Sequence, residues 1–326
     1  MKIGKLSYEE LKELVLCRLP QPGAHVLRGP GIGLDCAAIR FNDGQVVLTS
    51  DPITGASSDL GYLAVHVSCN DIAACGIRPS VLVMVLIAPP DCEADDLSRI
   101  VDQASEAAQQ LNVSIVGGHT EISEAVTRFV MITTAVGLSY GDQIIDAGGG
   151  RPGDTILMTK TAGLEGTAIL AVDFKDRLQP DLSEAELEKA AAMIRQISVV
   201  EEGTIGGRLN VHAMHDATEG GVLGACWEMA EACQLGCVIE AFKIPVDPLT
   251  RKICQVFGLD PLRLISSGSL IIATDQPEPL IVELTKKGIL CTAIGCLTSD
   301  RKRLLKHNDT IIELSEPGTD ELYKVI

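Results

Sequence analysis

Aromatic side chains are scarce in this chain, at 3% of 326 residues, which removes the stacking platforms that hold bases or sugar rings. Basic clusters are missing as well. The formal charge is −17, and no run of Lys and Arg extends beyond Arg301-Lys302-Arg303. This surface is unsuited to nucleic acid or to an anionic membrane. The longest aliphatic stretch, Val81–Ala88, is too short to cross a bilayer, and the N-terminus has no apolar stretch of the signal-peptide kind. The eleven cysteines show no Cys-x-x-Cys spacing, so neither a zinc site nor a disulfide framework is indicated; reduced thiols in a cytoplasmic protein are expected. Gly-x-x-x-x-Gly-Lys-Ser/Thr, His-Glu-x-x-His and Gly-x-Ser-x-Gly are all absent. Gly29, Gly31 and Gly33 do not form a dinucleotide fingerprint, because the third glycine is misplaced and no clear strand precedes it.

What is present is a chain with 46% apolar residues, enough for a sizeable core, of a length suited to two domains. The pattern predicts strands at 46–50, 80–88, 113–116 and 128–138, with helices at 60–75 and 93–111 between them. Gly117-Gly118 is read as ending the third strand. Gly148-Gly-Gly-Arg-Pro-Gly153 breaks the pattern and sets a predicted boundary between domains 1–147 and 148–326. The second half predicts strands at 155–159, 211–215, 237–239 and 269–274. Its helices are predicted at 165–172, 183–197, 222–232, 248–257 and 277–287, with two or three short strands to finish. The class is α/β with two layered domains.

Carboxylates stand at unusual places in this pattern. Leu60, Leu63, Ala64, Val67, Asp71 and Ala74 recur at helical spacing, which puts Asp71 on a core-facing stripe. A charge there needs an ion-pair partner, for which Arg78 is available, or a metal. Asp35 and Asp51 each stand at the edge of an apolar segment, and Asp216 follows another. Gly117-Gly118-His119-Thr120-Glu121 and Asp216-Ala-Thr-Glu-Gly220-Gly221 combine a glycine pair with hydroxyl and acidic groups. Hard oxygen ligands from several elements suit Mg²⁺, and such ions let an acidic cleft accept a triphosphate. The loop with Gly31 and Gly33 offers backbone N–H groups to a phosphate, or is a plain loop. Lys160 offers a positive charge, or is an ordinary strand-end lysine. His119 and His215 offer proton transfer, or are hydrogen-bonded structural histidines.

Seven segments occur in an order that resembles the aminoimidazole ribonucleotide (AIR) synthetase superfamily, also called PurM-like. They are Gly-Leu-Asp35-Cys-Ala-Ala, Thr-Ser-Asp51, Asn70-Asp71-Ile-Ala-Ala-Cys-Gly-Ile-Arg-Pro79, Gly117-Gly-His-Thr-Glu, Thr133-Thr-Ala-Val-Gly, Arg151-Pro-Gly-Asp154 and His215-Asp-Ala-Thr-Glu-Gly-Gly. The resemblance runs from about Gly31 to Thr298. It implies a two-domain fold whose N-terminal α/β domain forms a β-barrel shared across a homodimer, with ATP and Mg²⁺ held against a C-terminal α/β domain. On the same ground Asp35, Asp51, Asp71 and Asp216 are metal ligands. Asn70, Gly117, Gly118, Thr120, Lys160, Gly220 and Gly221 lie about the nucleotide with the Gly31 and Gly33 loop, and Asp216 and His119 are the candidates for catalysis. The hydrogenase-maturation subgroup typified by HypE is the nearest in motif. That subgroup carries a cysteine at its extreme C-terminus, whereas this sequence closes with Glu321-Leu-Tyr-Lys-Val-Ile326 and its last cysteine is Cys296. The expected activity is Mg-dependent phosphorylation of an oxygen on a small-molecule or protein-borne acceptor. The alternatives are a small-molecule kinase resembling thiamine-monophosphate kinase, and a nucleotide-binding accessory protein with a partner in metallocentre maturation.

Overall fold

A computed structural model describes residues 8–14, 16–18, 26–28, 31, 34, 36–54, 58–140, 144–308 and 310–325. Strand β1 (Val26–Arg28) is followed by β2 (Ala37–Phe41), β3 (Gly44–Ile53), β4 (Pro79–Ala88), β5 (Ser114–Ile122) and β6 (Val130–Ser139). They form one sheet in the order β1-β2-β3-β6-β4-β5, antiparallel except for the β4–β5 pair. Helix α1 (Tyr8–Leu14) precedes the sheet, and α2 (Leu60–Ala74) and α3 (Ala94–Leu111) pack together against it. Alternation along the strands sorts the side chains. Val47, Thr49, Leu82, Leu86, Met131, Thr133 and Ala135 are buried beneath α2, while Val83 on the opposite face is 39% exposed.

The second sheet has the order β13-β12-β9-β11-β7-β10-β8. Its strands are β7 (Thr155–Thr159), β8 (Ala213–Asp216), β9 (Gly236–Glu240), β10 (Leu270–Thr274), β11 (Cys291–Thr298), β12 (Arg303–His307) and β13 (Thr310–Glu313). Around it lie α4 (Leu164–Asp173), α5 (Lys175–Leu178), α6 (Glu184–Ala191), α7 (Val200–Arg208), α8 (Gly221–Ala232), α9 (Pro248–Phe257) and α10 (Pro277–Lys286). Helix α6 opens as Ser183-Glu-Ala-Glu186 predicts, with a capping box in which the Glu186 carboxylate accepts the Ser183 N–H at 2.8 Å. It closes sooner than the predicted 183–197 helix, because residues Ala192–Gln196 tighten into a 3-10 turn.

Two departures from the sequence pattern bear on the site. Every residue of α2 is buried, because the helix lies between the first sheet, α3, α7 and β8. A helix enclosed on all sides has no single core stripe, so the one-sided reading of Asp71 was too narrow. Strand β5 also continues through Gly117-Gly118 to Ile122 instead of ending there. A side-chain carbon at Gly118 would lie 2.0 Å from the Met84 carbonyl oxygen. Glycine at that position is a packing requirement of the β4–β5 pair.

Candidate functional site

Thr49 and Asp51 stand two residues apart on β3 and therefore share a face. That face lies under α2, which presents Asp71, 4% exposed, from above. The Thr49 hydroxyl lies 2.7 Å from Asp71 Oδ2 and 3.0 Å from Asp51 Oδ2. A hydroxyl has one proton and can donate to only one of these carboxylates at a time. Two anionic side chains from separate elements thus converge on one small group, an arrangement that a cation stabilises. Arg78, the partner that the sequence offers Asp71, instead reaches Glu201 at 3.4 Å, well exposed.

A cleft of about 250 Å³, counted with its solvent-open space, lies beside Asp71 and is also lined by Leu34, Cys36, Arg28, Asp146 and Met214. Arg28 is paired with Asp146. Leu34 and Cys36 flank Asp35 in sequence, but Asp35 and Gly33 lie outside the described residues. Gly31 makes a bridge to Leu34, whose N–H reaches its carbonyl at 3.3 Å. Asp216 is buried at the end of β8, the sheet edge against which α2 packs. Among the described residues no three His, Cys, Asp or Glu side chains stand close enough to hold a metal by themselves. A pair of carboxylates nonetheless fits Mg²⁺, which usually takes one or two from protein and the rest from phosphates and water.

Residues 33–139 match the model of the AIR synthase related protein N-terminal domain, and residues 151–306 match that of its C-terminal domain. The chain belongs to the AIR synthase related family. A putative hydrogenase expression/formation protein of Methanocaldococcus jannaschii is 31% identical over 288 residues, covering 84% of this chain and 81% of that protein. Carbamoyl dehydratase HypE of Cupriavidus necator is 32% identical over 247 residues, with 73% of this chain and 68% of that protein covered. Among solved structures, hydrogenase maturation protein HypE in complex with ATP aligns at a TM-score of 0.69 and 23% identity, over 97% of this chain and 94% of that one. At that identity the likeness is one of fold.

Other sequence candidates of this AIR synthase related chain take places of their own. Asn70 faces the second half of the chain: its Nδ2 donates to the Ile197 carbonyl at 2.7 Å, and its Oδ1 accepts the Val199 N–H at 2.8 Å. Lys160 points inward. Its ammonium donates to the Ser198 and Gly268 carbonyls at 2.7 and 2.9 Å and pairs with buried Glu202 at 2.5 Å. Burial lowers its pKa, and the Glu202 carboxylate pushes it back up. In this structure the Lys160 charge is turned toward Glu202 and the core.

His119 and Glu121 are exposed on β5, 3.3 Å apart. Gly118 pairs with Met84, Met84 with Thr133, and Thr133 with Asp51, so alternation turns His119 to the face opposite Asp51. Three strand spacings, about 14 Å, also separate them. Within one chain His119 does not join the carboxylates. Thr120, two residues beyond Gly118, returns to the Asp51 face but at the exposed β5 edge. His215 donates to, or accepts from, Glu228 at 2.8 Å in the buried interior. The Gly220 N–H, expected to face a nucleotide, donates to Asp320 at 2.7 Å. Gly221 has φ +64°, and a side-chain carbon there would lie 2.6 Å from the Leu262 carbonyl oxygen.

Sequence reasoning missed Thr49, although its two-residue offset from Asp51 on a strand was a usable signal. It also assigned no role to a group of acids on the second half of the chain: Glu165, Glu219 (inside the Asp216–Gly221 segment) and Asp320. Asp320 accepts N–H groups from Gly220, Ile265 and Leu322 at 2.7, 3.2 and 2.8 Å. Burial raises its pKa to about 6 despite those bonds. Burial likewise raises Glu165 to about 7, with Ser267 opposing and the Asp320 charge adding to the rise.

Proposed function

We propose that this chain binds ATP with Mg²⁺ beside Asp51 and Asp71 and transfers the γ-phosphoryl group to an oxygen of a small-molecule or protein-borne acceptor. The observation that supports it most is the approach of Asp51 and Asp71 to one hydroxyl, Thr49. Asp35 and Asp216 are proposed to complete the ligand set from their own elements. The ion, when bound, supplies positive charge for phosphate oxygens that an acidic protein otherwise repels. The acceptor oxygen bonds to the γ-phosphorus as the bond to the β–γ bridging oxygen breaks. ADP leaves, and the acceptor proton passes to a carboxylate or to water. The HypE relative structure that holds ATP supports the nucleotide. The hydrogenase expression/formation name of the Methanocaldococcus jannaschii relative supports a role in hydrogenase maturation, and a solved HypE–HypF complex, similar to this chain at a TM-score of 0.73 and 23% identity, supports a protein partner there.

A homodimer belongs to the same proposal. Val83, Val85 and Ile87 on β4 and Ile132, Val136 and Leu138 on β6 lie on the face away from α2, and a second copy of this sheet is a fitting cover for that apolar face.

Replacing Asp51 or Asp71 with Asn is expected to weaken Mg·ATP binding about 100-fold or more, with an unchanged circular dichroism spectrum, because each variant removes one hard anionic ligand. Isothermal titration with ATP and MgCl₂ measures this, and unchanged affinity in both variants removes the metal assignment. Tight binding without ADP formation, alone or with a maturation partner, favours the accessory-protein reading.

A further inference from the structure

Where β3 runs on past Asp51, Pro52, Ile53 and Thr54 form one wall of a second cleft, of about 430 Å³ with its solvent-open space. The facing wall comes from the second half of the chain: Glu165, Ile169, Glu219, Ile265, Asp320, Leu322 and Tyr323. Three of these are carboxylic acids, and no Lys or Arg is among the described lining residues. Their hydrogen bonds are uneven. Asp320 is filled by three backbone N–H groups, and Glu219 accepts the Tyr323 hydroxyl at 3.2 Å. Glu165 is 4% exposed; Ser267 bonds to its carboxyl, but its Oε2 has no hydrogen-bond partner among the described residues. A buried carboxylate oxygen facing a cleft without a donor is costly unless something enters to supply one.

We infer that this cleft is a binding subsite for an organic cation bearing several N–H donors, an amidinium, guanidinium or amine on an apolar body. Glu165 and Glu219 are its anchors, and Ile53, Ile169 and Leu322 pack against its carbon skeleton. The donors of a planar cation match paired carboxylate oxygens, and the bonds so formed are charge-assisted. A bare metal ion is a poorer fit, because no three metal-binding side chains converge among the described residues. Burial and mutual repulsion already raise Glu165 to about 7, and a bound cation removes that strain by favouring the ionised form. Because Pro52 follows Asp51 directly, the subsite adjoins the proposed Mg·ATP site. Its place in the reaction rests on that reading; the binding itself does not.

The test uses the full chain without nucleotide, titrated calorimetrically with benzamidine and with its neutral isostere benzamide. Saturable binding of benzamidine at one site is expected, at least about tenfold tighter than benzamide. Glu165→Gln and Glu219→Gln are each expected to weaken benzamidine about tenfold or more while leaving benzamide unchanged. Circular dichroism melts report folding, and Glu219, being partly exposed, decides the matter if Glu165→Gln does not fold. No saturable benzamidine binding, equal binding of benzamide, or undiminished binding in the folded variants overturns the assignment. A parallel Mg·ATP titration separates the two proposals. Lost cation binding with intact nucleotide binding removes the subsite alone, and the reverse removes the nucleotide reading alone.

Discussion

At the scale of single residues, burial sets the charge state of several groups, and the signs differ. Glu165 has a folded pKa raised by burial from 4.5 to about 7. A raised carboxyl holds its proton more tightly in the folded state, so its stabilising contribution is present below the unfolded value and is lost as pH rises through about 7. His66 works in the opposite sense. It is buried against Tyr62, 4.3 Å between ring centroids, and burial lowers its pKa from 6.5 to about 4. Its contribution is present above 6.5 and lost as pH falls toward about 4. The two effects overlap in the unsubstituted chain, so a difference measurement is needed. The melting temperature of Glu165→Gln, relative to the unsubstituted chain, is expected to rise between about pH 4.5 and pH 8, since the variant never buries a charge. A difference that stays flat across that range, in differential scanning calorimetry, counts against the buried acid.

At the scale of elements, α2 is the piece on which both halves of the chain depend. It carries Asp71 toward Thr49 on one side and Asn70 toward residues 197–199 on the other. The same short segment is held from the second sheet by Lys160, through the Ser198 carbonyl. Asn70 therefore fixes how the first half meets the second, and Asp71, its neighbour, takes its position from that junction. Asn70→Ala removes two buried hydrogen bonds and leaves the Ile197 carbonyl and the Val199 N–H without them. A loss of about 2–4 kcal/mol in unfolding free energy is expected, measured by urea titration. A loss below about 0.5 kcal/mol, the size of an ordinary surface change, is incompatible with this junction.

At the scale of the whole molecule, among the described residues the first sheet has its helices α2 and α3 on one face, and the other face is apolar. Strand β4 is apolar on both faces, as a strand covered on both sides is, yet α2 and α3 cover only one of them. The homodimer proposed above accounts for the other. Val83→Asp, placed at the middle of that face, is expected to shift the chain from dimer to monomer in light scattering while its far-ultraviolet circular dichroism stays unchanged. A dimer of unaltered mass removes this interface. Helix α1 contributes a separate tie across the molecule, through Tyr8 stacked on Trp227 at 5.1 Å between centroids. Among the described residues no helix is long and apolar enough to cross a membrane.

Local periodicity determined most of the elements, since alternation and helical spacing are properties of neighbours in the chain. β7 and α9 have the bounds that the pattern predicts, and seven ordered motifs were enough to place the chain in its family. Their acids were legible because a carboxylate at the border of an apolar segment stands out without any coordinates. Contacts between distant residues were decided only by folding. Thr49 meets Asp71 across 22 positions and Gly220 meets Asp320 across 100, separations at which sequence spacing carries no geometric information. Lys160 and the Gly220 N–H look free in the sequence, because a donor's partner is fixed by whichever acceptor the tertiary packing brings within about 3 Å. In this molecule that packing gave Lys160 to Glu202, gave Gly220 to Asp320, and left a buried oxygen of Glu165 facing a cleft.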